Sequence, residues 1–131
     1  MRRAALQRLP LQIAVGLLGS ASALAHHSYG MFDFQREVTL KGTVKEFQWS
    51  NPHVFIDLVN ESDSVTWSVE LSSPSHLVRN GWKPGSLRAG DQITLVIHPL
   101  RDGRNGGTYV SAARADGRPV VQAPGAVGTP Q

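Results

Sequence analysis

The 131-residue chain contains no cysteine. Without thiols it can build neither a disulfide framework nor a thiolate nucleophile. It also lacks any apolar run of the roughly 20 residues that a spanning helix needs. No Cys-x-x-Cys pair or helical His/Glu metal spacing is present, so the common zinc signatures are excluded. Leu100-Arg101-Asp102-Gly103-Arg104-Asn105-Gly106-Gly107 is rich in glycine, but no Gly-Lys-Ser/Thr follows it and no helix pattern begins there. A phosphate-cradling loop needs both, so this stretch reads as a hairpin, with Asp102-Gly103 at a tight turn.

The N-terminus has its own pattern. Met1-Arg2-Arg3 and Arg8 precede a short apolar run, Leu9 to Leu18, and Ser22-Ala23-Leu24-Ala25 follows. A basic start, a short apolar centre and an Ala-x-Ala end are the marks of a cleavable secretion signal. The expected division is a signal peptide over 1–25, a lead-in over 26–36, one domain over 37–121 and a disordered tail over 122–131. The expected location is the bacterial periplasm, reached by the general secretion route, with membrane contact only during export.

That division changes the charge argument. The formal net charge of +3 includes Arg2, Arg3 and Arg8, three of the 13 lysines and arginines. Ten remain after cleavage, against 10 carboxylates. Nucleic-acid binding rests on surplus cations that neutralise phosphate, so no nucleic-acid partner is expected.

From Glu37 onward the hydrophobic pattern is that of strands. Val38, Leu40 and Val44 alternate with polar residues, and Gly42 marks a bulge or a sharp bend. Val54, Ile56 and Leu58 form a second stripe. Val65, Trp67, Val69 and Leu71 form a third. Ser73 or Ser75 can cap a short helix that opens near Pro74 and ends at Gly81. Ile93, Leu95 and Ile97 form a fourth stripe, and residues 107–115 make a fifth strand. Three strands, a short helix and two strands give an all-β class, specifically a small five-stranded OB-like barrel with the helix between strands 3 and 4. A generic β-sandwich is the rival reading.

Several motifs together resemble a family of small exported proteobacterial proteins of unknown function. They are Ala25-His26-His27-Ser28, Gly42-Thr43-Val44, Trp49-x-Asn51-Pro52-His53, Trp67-x-Val69-Glu70, Ser73-Pro74-Ser75, Gly81-Trp82, Gly90-Asp91 and His98-Pro99-x-Arg101-Asp102-Gly103. The resemblance spans Ala25 to Gly107. It implies an OB-like barrel outside the cytoplasm and leaves the activity open.

Cleavage after Ala25 would make His26 the first residue. Its α-amine and imidazole could then chelate one ion, with a third nitrogen from His27, His53 or His98. Such a nitrogen set suits Cu(II), which heads the divalent affinity order, so copper is the candidate cofactor. The alternative for His26 and His27 is a solvated chain end. The copper and nickel motif with histidine third is not met, because Ser28 would stand there. A second candidate surface is aromatic and basic: Trp49, Phe55 and Arg101 would hold a small organic ligand or a partner protein. Trp67 is expected in the core and Trp82 at the helix end. No nucleophile–base arrangement is legible, and a binding protein is favoured over an enzyme.

Overall fold

A computed structural model describes residues 29–122. The expected signal peptide, His26, His27 and all of the expected tail except Gln122 lie outside the described residues. A short 3-10 turn, Tyr29–Met31, precedes five strands: β1 Val38–Gln48, β2 Phe55–Asn60, β3 Thr66–Glu70, β4 Gln92–Pro99 and β5 Gly106–Arg114. One helix, α1 (Pro74–Arg79), lies between β3 and β4. The strands close into a barrel in the order β1-β2-β3-β5-β4. This is the OB-like barrel expected from the order of elements, and it displaces the sandwich.

Closure depends on β1. Its first half pairs with β4, Val38 opposite Ile97 and Thr43 opposite Gln92. Its second half pairs with β2, Gly42 opposite Asn60 and Gln48 opposite Phe55. Gly42 belongs to both ladders. A Cβ built there would lie 2.1 Å from the Val59 carbonyl oxygen, so no other residue fits. The register slips three residues later, between Val44 and Glu46. The bulge therefore sits at Lys45, and Gly42 is the point of close approach. The slip inverts the alternation, so Leu40 and Val44 face inward before it and Phe47 packs on the core after it.

The inward stripes of all five strands meet in one core, which includes Leu40, Val44, Ile56, Leu58, Val69, Ile93, Leu95, Ile97 and Ala112. Trp67 packs against it half-buried. The α1 N-cap is Ser73, whose hydroxyl accepts from the His76 N–H at 3.4 Å. Pro74 opens the helix, where its missing N–H costs nothing. Leu77 and Trp82 are buried beneath the helix. Trp82 stands edge-on to Tyr109, with ring centroids 5.6 Å apart.

After β5 the chain turns at Asp116-Gly117 and runs back along it. Arg114 N–H donates to the Arg118 carbonyl at 2.7 Å, and Val120 N–H donates to the Ala112 carbonyl at 3.0 Å. Val120 enters the core. The turn is an Asp-Gly-Arg unit, and residues 102–104 repeat it. In both, the carboxylate accepts from the arginine backbone N–H and from its Nε. These bonds hold Asp102 and Asp116 below the ordinary value of 3.8. Both pairs are exposed, where such bridges contribute little.

Two outcomes follow. Gly42→Ala should destabilise the barrel by at least ~2 kcal/mol in urea unfolding, through overpacking against backbone. Gly85→Ala, where a Cβ meets nothing, should stay within about 0.5 kcal/mol of the parent. Burial raises Tyr109 above the ordinary 10.0. Its contribution to stability is then complete below pH 10 and is lost as pH rises through the folded value. Absorbance titration of tyrosinate should show a late component coincident with loss of near-UV circular dichroism. Tyr109→Phe should remove that component.

Candidate functional site

The outward residues of the strands form a row around one level of the barrel. Gln48 lies opposite Phe55, Phe55 opposite Glu70, Glu70 opposite Thr108 and Thr108 opposite His98. The inward neighbours Ile56, Val69 and Ile97 are buried, so alternation points this row outward. Two of the candidate histidines meet the row. His98 is a member of it. His53, just ahead of β2, sets Nδ1 against the Glu70 carboxylate.

Each imidazole is oriented by an oxygen. His98 Nδ1 lies 2.8 Å from the Arg36 carbonyl oxygen. A carbonyl can only accept, so Nδ1 carries the proton and the lone pair is on Nε2. The Phe34 ring stands edge-on to His98 with centroids 5.2 Å apart. The Glu70 side chain is mostly buried, and His53 is partly covered. A neutral His53 that donates from Nδ1 to this carboxylate likewise carries its lone pair on Nε2. An oxygen acceptor behind Nδ1 is the arrangement that holds metal-ligating histidines in place.

The two rings share a face without forming a ligand cluster. Glu70 and His98 are separated by two strand spacings, about 10 Å. Among the described residues no group of three His, Cys, Asp or Glu side chains could hold a metal ion. His76 lies exposed on α1, apart from this row.

The other candidate residues have structural partners. Trp49 stands edge-on to Phe47 at 5.8 Å, and Phe47 lies 5.9 Å from Trp82. Trp49 thus ends an aromatic chain that leads into the core. Phe55 is half-buried in the outward row between Gln48 and Glu70. Arg101 fastens the lead-in: its N–H donates to the Met31 carbonyl at 2.9 Å, and its guanidinium lies 3.8 Å from Asp33. A cleft of ≈ 340 Å³ opens elsewhere on the wall, lined by Lys41, Thr43, Glu61, Gln92 and Thr94 among others, with no histidine.

Glu70, Thr108 and the Arg36 carbonyl carry no signal in the sequence, since register alone brings them to the histidines. Long-range proton–nitrogen spectra should show His98 as the Nδ1–H tautomer at neutral pH. They should show the same for His53, and Glu70→Ala should lower the Nδ1–H fraction of the His53 ring.

Comparison with known proteins adds a structural neighbour and a family. No curated protein matches the chain. The crystal structure of the mitochondrial single-stranded DNA binding protein Rim1 from S. cerevisiae aligns at 9% identity and a TM-score of 0.43. The alignment covers 61% of this chain and 94% of that one. Residues 15–111 match the family of unknown function DUF6152, and the chain is a member of that family.

Proposed function

We propose that this is an exported periplasmic binding protein that holds a copper-type ion through His26 as its mature N-terminus, with an internal histidine as third ligand. The observation that carries the reading is His98, whose Nδ1 is tied to the Arg36 carbonyl at 2.8 Å. That bond presents Nε2 as the ligating nitrogen and holds the ring against rotation.

The lead-in supports it. Asp33 N–H donates to the Pro99 carbonyl at 2.8 Å, and Phe32 bridges to Leu100. The segment that continues from His26 is therefore fastened beside the end of β4, the strand that carries His98. Three chain steps lead from His26 to Tyr29, and they can span about 10 Å. His53, held by Glu70, is the alternative third ligand on the same face, and His27 the local one. The chemistry offered is an amine and two imidazoles, a nitrogen set suited to Cu(II). No nucleic-acid partner forms part of the reading, because the mature charges balance.

A second reading places a small organic ligand or a periplasmic protein on the outward row. Phe55, half-buried between Gln48 and Glu70, favours it. Cu(II) titration separates the two. The chain beginning at His26 should bind one equivalent. His26→Ala, or one extra residue ahead of His26, should weaken binding at least tenfold, and His98→Ala should do so with the fold intact. Equal affinity in all of these would overturn the amine-plus-imidazole site. Cu(II) affinity unchanged by Phe55→Ala fits the first reading alone.

A further inference from the structure

We infer that the segment between β3 and β4, which carries α1, is a docking surface for an anionic membrane. This departs from the expectation that the chain meets a membrane only during export, and it does not depend on the metal.

The inference begins from charge. The described residues hold equal numbers of cationic and anionic side chains, yet they are distributed unevenly. From Leu71 to Gly90 there is no carboxylate, while Arg79, Lys83 and Arg88 all fall there. All three are exposed. Of the other seven described cations, Lys41, Arg101, Arg104, Arg114 and Arg118 each face a carboxylate within 4.0 Å, and only Arg36 and Lys45, apart in sequence from this segment, do not. Two acids border this segment: Asp91 is taken by Arg114 and by the Arg88 backbone N–H, and Glu70 by His53. Among the described residues no carboxylate lies within 4.0 Å of Arg79, Lys83 or Arg88.

The segment holds its cations on a fixed platform. Leu77, Trp82 and Leu87 are its buried anchors. Between and beside them, His76, Val78, Arg79, Lys83 and Arg88 face solvent. Val78 is 57% exposed, the most of the exposed large hydrophobic residues. The loop after the helix is internally bonded: Lys83 N–H donates to Ser86 Oγ at 2.8 Å, and Arg114 donates to the Ser86 carbonyl at 2.9 Å. The cleft of the barrel wall is lined by other residues. Three exposed cations within ten residues of one exposed apolar side chain suit a charged plane. An acidic peptide would instead require a groove.

Each cation near an anionic leaflet raises partition about fivefold, so three give roughly a hundredfold. The chain from His26 onward, which lacks Arg2, Arg3 and Arg8, should co-sediment with vesicles of phosphatidylglycerol and phosphatidylcholine in about equal parts. It should do so far less with phosphatidylcholine alone, and raised salt should release it. Replacing Arg79, Lys83 and Arg88 together by Gln should lower partition on the order of a hundredfold. Replacing Lys41, Arg104 and Arg118 by Gln removes the same charge from paired positions and should lower it by only a few-fold. Equal losses in the two triple variants, or no preference for anionic vesicles in the parent, would overturn the inference. Circular dichroism of each variant confirms that the barrel is retained.

Discussion

The barrel closes because one strand serves two partners. β1 must lie against β4 along its first half and β2 along its second, and the handover falls at Gly42. At that residue the strand passes so close to the Val59 carbonyl that even a methyl group is excluded. The absence of a side chain is the condition for closure, since a strand that cannot bend there leaves β4 without its neighbour. The core then follows, because Leu40 and Val44 on either side of the bend face the stripes of β2 and β4. The slip at Lys45 adds twist and brings Phe47 under Trp82.

Much of this was legible as periodicity. Ile56 and Leu58, Val69, and Ile93 with Leu95 and Ile97 fall at every second position of their strands, and every one of them is buried. Ser73, Pro74 and Gly81 delimit the short helix at the residues where capping chemistry expects them. Phe47 and Tyr109 were beyond that reasoning. Each follows or adjoins a register slip, at Lys45 in β1 and at Val110 in β5. A bulge inverts parity without any marker in a single sequence. The repeated Asp-Gly-Arg turn was legible as two tight turns but not as one motif used twice.

The candidate site shows the same boundary. Histidines can be picked out of a sequence by type, but the oxygen behind each ring comes from register and loop path. Glu70 reaches His53 because β2 and β3 pair with Phe55 opposite Glu70. Arg36 reaches His98 because the lead-in turns back at the start of β1. Balanced charge was likewise a count rather than a map. The sums cancel, while Arg79, Lys83 and Arg88 all fall in a stretch, Leu71 to Gly90, that has no carboxylate of its own.

The segment after β5 has a consequence for how the molecule behaves in company. The parallel pairing of β3 with β5 ends at Thr108, which leaves the rest of β5 with one side of its backbone open. An open strand side recruits other strands, and in a crowded compartment that leads to aggregates. Residues 118–120 occupy it instead, with Pro119 bridged to Ala113. Proline offers no N–H to a further strand, so the ladder stops where it is covered. Along residues 112–114 the returning chain itself takes the place a foreign strand would need.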